Sequence, residues 1–219
     1  MTNTRAAESM MKLAEAGGPL DFSPDRARLF VQVARRLAQG QPIAGEQFDR
    51  IVAELGASPE EAQQFLDEWA ERDAGGAIVG MGLTLNETPH QIVVNGSRLW
   101  AWCAEDTLFY PGVLDQAASV ESTSPVSGTL TRLRVSPTHL EEVIPAGAVV
   151  SLPVVDPDEA DLSSVDAIWN TFCHHSFFFP SRTEAEQWAA GRQNIEIVPV
   201  AEGFAIGRQL AARMLASQS

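Results

Sequence analysis

Residues 99–111 have the sequence LWAWCAEDTLFYP, and a second segment, residues 171–180, reads TFCHHSFFFP. Together the two segments contain both cysteines of the chain, Cys103 and Cys173, each among aromatic and aliphatic residues. Asp106 follows Cys103 at i+3, a spacing that places the two side chains on one face if the segment is helical. Thiolates suit soft metals, and a carboxyl group beside them can carry a proton. The two segments therefore predict a soft-metal centre with an adjacent proton carrier.

Length and composition are those of an ordinary globular protein. With 219 residues, of which 45% are hydrophobic, the chain can form one large or two small domains without stabilising disulfides. It has no apolar run of about 20 residues, the length that spans a bilayer. Residues 1–19 lack the apolar centre of a signal peptide. We therefore expect a cytoplasmic protein in which both thiols are reduced and available for chemistry.

The charge balance bears on the partners of the protein. Lys and Arg number 15 against 29 Asp and Glu, which gives a formal net charge of −14. Affinity for nucleic acids depends on basic residues that neutralise phosphates, so this balance disfavours nucleic-acid binding. We expect small-molecule partners, with no nucleic acid and no membrane.

The N-terminal part of the chain is predicted to be helical. Residues 1–22 form a weakly patterned lead that we expect to be flexible, with at most one loose helix. Ser23-Pro24 and Ser58-Pro59 are each typical of an N-cap followed by proline at the first helical position, and apolar residues at helical spacing follow both. A third apolar pattern, over residues 48–55, predicts a helix between them.

Strand-like sequence follows these three helices, at residues 78–85 and 91–94. Three helices and a hairpin predict a winged-helix-like three-helix region over residues 23–95. Winged helices often bind DNA, but the third predicted helix, residues 59–73, carries six acidic residues against Arg72. We therefore interpret this region as a scaffold module, and a winged-helix regulator is the weakest of the functional alternatives.

Residues 96–219 are predicted to form a β-rich core. Strand-like runs, separated by Pro and Gly turns, lie at residues 118–121, 129–135, 143–144, 148–152 and 195–200. Helical patterns cover residues 183–190 and 202–216, and the apolar stripe of the last helix can cover a sheet. The predicted fold class is α+β, with a mixed or antiparallel β-sheet core flanked by helices after the N-terminal helical region.

Several sequence blocks in addition to the two cysteine segments carry a resemblance to a known family. The blocks are Gly80–Leu85, Trp102–Thr107, Phe172–His175, Thr183–Glu186 with Trp188, and Glu202–Gly207. A tryptophan before the first cysteine, an aspartate at i+3 and a Phe-Cys pair downstream form a specific combination. Over most of its length the chain resembles the organomercurial lyase (alkylmercury lyase) family.

This resemblance implies a function and a set of site residues. In the family, the two matching cysteines and the aspartate cleave a carbon–mercury bond by protonolysis. The implied mercury site here is Cys103, Cys173 and Asp106, with residues 96–219 as the lyase-like catalytic core. The resemblance implies an organomercurial substrate, no required cofactor, and release of Hg(II) to external thiols or to a mercuric reductase.

The cysteine content differs from that of some family members. Many carry an additional cysteine between the two catalytic ones, and some carry another directly after the downstream one. Here residues 104–172 contain no cysteine, and His174 follows Cys173. The extra thiols are not part of the minimal mechanism, so we expect the activity to be retained and product release to depend on external thiols or a partner reductase.

The residues themselves suggest how such a reaction would proceed. A free thiol has a pKa of about 8.5, so Cys103 needs a base, and Asp106 one turn away can accept its proton. Cys103 and then Cys173 would bind the mercury of R–Hg⁺ and push electron density towards carbon, to which Asp106 returns the proton. An apolar wall would raise the pKa of the carboxyl group and receive the organic group. The residues predicted for this wall are Trp100, Trp102, Phe172 and Phe177.

Other interpretations of the same residues stay open at this point. Two cysteines in a cytosolic chain are often buried small hydrophobic residues. His174 and His175 adjoin Cys173, so a Cys/Cys/His zinc site is conceivable, although neighbours on a strand point to opposite faces. The main functional alternative is a non-catalytic metal-binding or regulatory homologue that holds a soft metal through the same cysteines.

Overall fold

The computed structural model describes residues 4–218; residues 1–3 and Ser219, the ends of the predicted lead and core, lie outside this part of the chain. Eight α-helices and eleven β-strands occupy the described residues. The helices are α1 (Arg5–Leu13), α2 (Pro24–Leu37), α3 (Gly45–Leu55), α4 (Pro59–Trp69), α5 (Ala104–Leu114), α6 (Val165–Thr171), α7 (Arg182–Ala189) and α8 (Val200–Ala216). The strands are β1 (Glu71–Arg72), β2 (Ile78–Met81), β3 (Leu83–Thr84), β4 (His90–Val94), β5 (Ser97–Ala101), β6 (Ala118–Thr123), β7 (Leu130–Val135), β8 (Leu140–Ile144), β9 (Val149–Pro153), β10 (Phe178–Phe179) and β11 (Ile195–Pro199).

Two antiparallel sheets form the β part of the fold. The larger has eight strands in the order β1-β2-β3-β5-β4-β6-β7-β8, and the smaller has three in the order β10-β9-β11. Strand β7 shows why these segments pair: Thr131, Leu133 and Val135 are buried and the residues between them are exposed, the period of two expected of a half-buried strand. Helices precede and flank the sheets, which confirms the predicted α+β class.

The predicted helix starts at Ser23 and Ser58 are confirmed. Each serine is an N-cap whose hydroxyl accepts a hydrogen bond from the third helical residue, Arg26 N and Glu61 N, both at 3.4 Å. The proline that follows each serine lacks a backbone N–H and therefore leaves no donor unsatisfied at the first helical position.

The N-terminal lead differs from the flexible segment that the sequence predicts. Its residues form α1, in which Ala6, Ala7, Met10 and Leu13 are buried in the core. The hydroxyl of Ser9, which is itself buried, donates to the carbonyl of residue 155 at 2.7 Å and connects the helix to the segment that follows β9. The apolar positions recur at helical spacing, but the pattern covers fewer than three turns and gives a weak sequence signal.

The structure around residues 95 and 96, where the sequence predicts a division, is continuous. This position is the turn of the β4–β5 hairpin, in which Val94 pairs with Ser97. One hydrophobic cluster runs from α1 through the eight-stranded sheet to α8. The predicted helical region and the predicted core therefore share a sheet and a core.

The winged-helix likeness of residues 23–95 stays a prediction. The antiparallel pair β1–β2 follows α4, and Ile43 forms an isolated bridge with Ile78. The residues predicted as one hairpin instead belong to β2, β3 and β4, and β3 pairs with β5 rather than with β4.

Helices α5 and α8 pack closely along each other. A Cβ added at Gly112 of α5 would lie 2.8 Å from Ala211 Cβ, and one added at Gly207 of α8 would lie 3.0 Å from the carbonyl carbon of Leu108. Glycine at these positions lets the two helix backbones approach. This packing fixes α5, the helix that begins directly after Cys103. Within residues 4–218, no helix has the length and apolar character needed to cross a membrane.

Candidate active site

Cys103 and Asp106 lie at the N-terminus of α5. Cys103 is the N-cap, with an extended backbone, and Asp106 is the third helical residue. The Asp106 carboxylate accepts a hydrogen bond from Cys103 N at 3.1 Å, and the Cys103 sulfur faces the backbone N–H of Asp106. This reciprocal arrangement is a capping box in which the thiol replaces the usual hydroxyl. The i+3 spacing therefore brings the thiol and the carboxylate together, as predicted.

Cys173 lies on a short 3₁₀ turn, Cys173–His175, that follows α6. Two serines hold this turn against the rest of the molecule. Ser151 of β9 donates to the carbonyl of His175 at 2.8 Å. Ser176 accepts from the first two N–H groups of α5, through its carbonyl from Ala104 N and through its hydroxyl from residue 105 N, both at 3.2 Å. The segment of Cys173 is thus bonded directly to the N-terminus of the helix that carries Asp106.

The three predicted residues form one cluster. One ligand atom each of Cys103, Asp106 and Cys173 lies within 4.8 Å of the other two, and this is the one potential metal-ligand cluster found among residues 4–218. Both cysteines are free and buried. Neither His174 nor His175 belongs to the cluster. His174 is exposed and its ring packs at a tilt against Trp169, and His175 Nε2 hydrogen-bonds the carbonyl of residue 170. The histidine needed for a Cys/Cys/His zinc site is therefore absent from it.

Burial and the hydrogen bonds within the cluster govern the protonation of the three groups. A hydrogen bond with Cys173, burial and the neighbouring Asp106 carboxylate raise the pKa of the Cys103 thiol, while the backbone N–H of Asp106 opposes this shift. Burial raises the pKa of the Cys173 thiol as well. Burial also raises the pKa of Asp106 to about 6, against hydrogen bonds from Cys103 that lower it. At neutral pH the cluster therefore holds two protonated thiols beside a carboxylate whose pKa lies close to neutrality.

The cluster lines a cavity of about 140 Å³ with mostly apolar walls. Trp102 and Phe172, both predicted for the apolar wall, line this cavity. Trp100 and Phe177 do not. Phe177 packs against Trp188 and His90, with ring centroids 5.6 Å away in each case. It belongs to a second, small hydrophobic cluster around Val149 and Phe179. An engineered cavity of about 150 Å³ binds benzene, so this one has room for a small aryl or alkyl group.

Several cavity residues were not identified from the sequence. Some come from the N-terminal lead and helical region, namely Met10, Leu20, Phe22, Phe30 and Trp69. The sequence analysis assigns these residues to a separate lead and scaffold region, and it therefore does not predict that they line the cavity. Glu105 and Ser176, which lie beside the thiols, are two more. The sequence does contain an indication that Glu105 is unusual, because this carboxylate lies in a helix that is otherwise almost entirely apolar.

Two thiols, a carboxylate and an apolar cavity wall determine which chemistry the site can perform. Two sulfur ligands can bind one soft metal atom between them. The carboxylate can take a proton from a thiol and return it to an atom bound to that metal. The apolar cavity can hold an organic group attached to the metal and keep water away from it.

Comparisons with known proteins agree with this chemistry. The family model described as alkylmercury lyase matches residues 83–212. An alkylmercury lyase of Pseudomonas putida is 36% identical over 208 residues, covering 93% of this chain and 92% of the relative. One from Staphylococcus epidermidis is 37% identical over 187 residues, covering 84% and 82%, and one from Streptomyces lividans is 32% identical over 221 residues, covering 97% and 95%.

A solved structure supports the fold independently. The crystal structure of the mercury-bound form of MerB2 superposes with a TM-score of 0.70 at 20% identity and covers 97% of this chain and 100% of that one. The fold is thus shared beyond the level of clear sequence similarity. Since the family model spans more than half of the chain and the relatives match nearly all of it, this protein belongs to the alkylmercury lyase family.

Proposed function

We propose that this chain cleaves the carbon–mercury bond of R–Hg⁺ by protonolysis and yields R–H and Hg(II). The observation that carries the proposal is the cluster of Cys103, Cys173 and Asp106, whose ligand atoms lie within 4.8 Å of one another in an apolar cavity. Two thiols alone would suit a binding protein. A carboxylate held by the N-cap of the same helix adds a proton carrier, and protonolysis requires one.

The first steps load mercury onto the thiols. The Cys103 sulfur binds the mercury of R–Hg⁺ and its proton is released, with Asp106 as the nearest base. The Cys173 sulfur then adds to the same mercury atom, and the Asp106 carboxylate takes up the proton of this second thiol. The Asp106 pKa of about 6 suits this transfer, because the group is ionised at neutral pH and still basic enough to accept a proton.

The next step breaks the carbon–mercury bond. Two thiolates increase the electron density on mercury and therefore on the attached carbon. The electron pair of the Hg–C bond takes the proton from Asp106 and forms the C–H bond of R–H. Asp106 returns to its carboxylate form, and Hg(II) remains between the two sulfurs. Overall, R–Hg⁺ and two thiols give R–H, a dithiolate-bound Hg(II) and one proton, so charge and atoms balance.

The walls of the cavity have a part in this scheme. Trp102 and Phe172, which line the cavity with the thiols, would receive the organic group of the substrate. Trp100 and Phe177 are not proposed for this role because they lie elsewhere. The same apolar surroundings raise the pKa of Asp106. They also exclude water, so that the protonated carboxyl group transfers its proton to the carbon bound to mercury.

Release of Hg(II) needs a competing ligand. Both cysteines of the chain already hold the product, so we assign the removal step to external thiols. A mercuric reductase is the class of enzyme proposed to accept the metal. No resident cofactor takes part in the scheme. The two free thiols must stay reduced, and we therefore place the reaction in the cytoplasm.

The test is turnover with matched variants. Purified protein is incubated without oxygen with phenylmercury or methylmercury and excess thiol, and benzene or methane is measured by gas chromatography. Wild type is expected to release hydrocarbon over many turnovers, and Cys173→Ser to lose at least about 100-fold in rate, since removal of one member of a catalytic group has effects of this size. The control is Asp49→Asn, an exposed aspartate of α3 outside the cavity, which should match wild type.

The non-catalytic alternative gives a different result. A metal-binding homologue would bind Hg(II) tightly through Cys103 and Cys173 and release no hydrocarbon from either substrate. That outcome, obtained with folded and reduced protein, would contradict the proposed activity and leave a protein that has kept the thiol ligands alone.

A further inference from the structure

Ser176 is a buried serine beside both thiols that the proposed reaction does not use. It follows Cys173 by three positions, is only 1% exposed and lines the cavity. Its backbone N–H donates to the carbonyl of Cys173 at 3.4 Å, so it closes the turn that carries this cysteine. A buried hydroxyl group needs a hydrogen-bond partner, and the partner of this one lies on α5.

The start of α5 is shared between the segments of the two cysteines. The first N–H groups of a helix have no acceptor within the helix and need one from outside. Ser176 supplies two acceptors, since its carbonyl accepts from Ala104 N and its hydroxyl oxygen accepts from Glu105 N, both at 3.2 Å. The next N–H group, that of Asp106, faces the Cys103 sulfur.

The two bonds from Ser176 fix an orientation that one bond would not. A single hydrogen bond sets a distance but permits rotation, whereas two bonds to successive N–H groups hold the turn at one angle to the helix. Only the bond of the hydroxyl depends on the side chain. Ser176→Ala therefore removes one of the two bonds and leaves the other, between the backbone groups, in place.

We propose that Ser176 is a positioning residue for the second thiol, and that its hydroxyl holds Cys173 where the sulfur can add to a mercury atom already bound to Cys103. The inference rests on the proposed function, in which Cys103 binds first. The cap formed by Cys103 and Asp106 does not include Ser176, because Asp106 accepts directly from Cys103 N at 3.1 Å. The Ser176 hydroxyl is thus needed for the second sulfur and not for the first.

The expected effect follows from effective concentration. Once mercury is bound to Cys103, the addition of Cys173 is an intramolecular step, whose rate and equilibrium depend on how well the second sulfur is placed. A displacement of about 1 Å can cost about 100-fold in a step of this kind. Loss of the hydroxyl bond should therefore weaken the dithiolate complex and slow the cleavage that follows it, while the first binding step is unchanged.

The first test measures Hg(II) binding and needs no turnover. Wild type and Ser176→Ala are loaded with one equivalent of Hg(II) and dialysed to equilibrium against dithiothreitol, and mercury is assayed in both chambers. At the same dithiothreitol concentration, the ratio of bound to free metal is expected to be at least about tenfold lower in Ser176→Ala.

Matched variants separate the hydroxyl from side-chain bulk and from lost capping. Ser176→Thr and Ser176→Val introduce side chains of the same shape that differ by a hydroxyl group, so the threonine variant should retain Hg(II) better. The control is Ser181→Ala: Ser181 accepts from Glu184 N at 3.3 Å at the start of α7, outside the cavity. This variant also loses a helix cap and some stability, but its retention of Hg(II) should equal that of wild type.

The second test follows a single turnover. Each protein is mixed with one equivalent of phenylmercury without added thiol. Benzene and free thiols are assayed over time, and intact-protein mass spectrometry detects chains that carry the phenylmercury group. In Ser176→Ala, phenylmercury should bind within about twofold of the wild-type rate, whereas the adduct should persist at least about tenfold longer with one thiol still free.

Three results would overturn the inference: retention of Hg(II) by Ser176→Ala equal to wild type, equal impairment of the threonine and valine variants, or binding and cleavage of phenylmercury slowed by the same factor. If no variant folds, amide hydrogen exchange in wild type decides. The Glu105 amide should exchange far more slowly than that of Glu46, the second residue of α3, and equal rates contradict the hydroxyl bond. Absence of benzene from every protein, with the difference in Hg(II) retention present, would contradict the proposed function alone.

Discussion

Cys103 has two roles in one side chain. Helices usually begin with Ser, Thr, Asp or Asn at the N-cap, because their oxygens accept hydrogen bonds from the first turn. A thiol is a weaker acceptor, so cysteine at this position is a poor choice for stability alone. Asp106 provides the stronger half of the cap by accepting from Cys103 N at 3.1 Å. The local stability of the helix start and the chemistry of the thiol are therefore linked through one carboxylate.

The ionisation of Asp106 predicts the acid limb of the pH profile. Its pKa of about 6 means that the carboxylate, the form that accepts the thiol proton, is lost as the pH falls below this value. We expect kcat/KM for phenylmercury to decrease about tenfold per pH unit well below pH 6. The measurement is benzene release at fixed ionic strength from pH 4.5 to pH 8. A profile that stays flat down to pH 4.5 would contradict the role of Asp106 as the base.

The same shift predicts a gain in stability for Asp106→Asn. The pKa is raised from near 3.8 to about 6 on folding, so between these values the folded state binds more protons than the unfolded state and the free energy of unfolding falls as the pH rises. The full penalty, about 2 kcal/mol after allowance for partial exposure, applies above pH 6. Asp106→Asn should therefore raise Tm by about 4–8 °C at pH 8 and by little at pH 4. Calorimetry at both values checks this, and an equal change at the two pH values would show that packing is the cause.

At the scale of elements, the packing of α5 on α8 positions the site. Gly207 stands where α8 passes the turn of α5 that follows Asp106, and a side chain there would meet both the backbone of Leu108 and the carboxyl of Glu105. The bonds from Ser176 then connect α5 to the turn that carries Cys173. Two contacts between elements that are distant in sequence therefore set the distance between the thiols.

Gly207→Ala tests this helix contact. The added methyl group would lie 3.0 Å from Leu108 backbone and from a Glu105 oxygen, so α5 must shift, and we expect a loss of about 1–3 kcal/mol in the free energy of unfolding. Gly45→Ala is the matched control, because it is also a helical glycine and nothing lies within 4 Å of an added Cβ. That control should be neutral or stabilising by up to about 1 kcal/mol. Urea titration of the two variants gives the comparison, and equal stability would show that the helices adjust freely.

Local features explain which elements could be predicted. The starts of α2 and α4 follow from Ser-Pro pairs, and the joint position of Cys103 and Asp106 follows from helical spacing. The approach of Cys173 depends on hydrogen bonds across 71 residues, such as that from Glu105 N to Ser176, which no local pattern encodes. The prediction that the two cysteines share one site rests on the affinity of thiolates for soft metals and on the resemblance to a known family, not on periodicity.

At the scale of the whole molecule, the site is built from both ends of the chain. Met10 and Phe22 from the N-terminal segment line the cavity together with Leu210 and Met214 of α8. The sequence suggested a lead, a helical scaffold and a catalytic core, because composition changes near residue 96. Pairing of β4 with β5 across this point, and burial of α1 in the common core, could not be deduced from composition.

The shared core predicts that residues 96–219 do not fold alone. A fragment of this span lacks β4, which separates β5 from β6 in the sheet, and exposes the apolar surface that α1 and α2 cover. We expect the fragment to show no cooperative thermal transition, whereas the whole chain unfolds in one. Circular dichroism during heating distinguishes the two cases. A cooperative transition in the fragment would restore the predicted division of the chain.

The central claim is that the two thiols bind mercury while Asp106 supplies the proton to carbon, and one single-turnover measurement separates these roles. Asp106→Asn is mixed with one equivalent of phenylmercury, and bound mercury and free benzene are followed in the same sample. We predict that mercury binds at one per chain through the thiols while benzene release slows at least about 100-fold relative to wild type. Benzene release at the wild-type rate would contradict the account, because the proton would then come from another group.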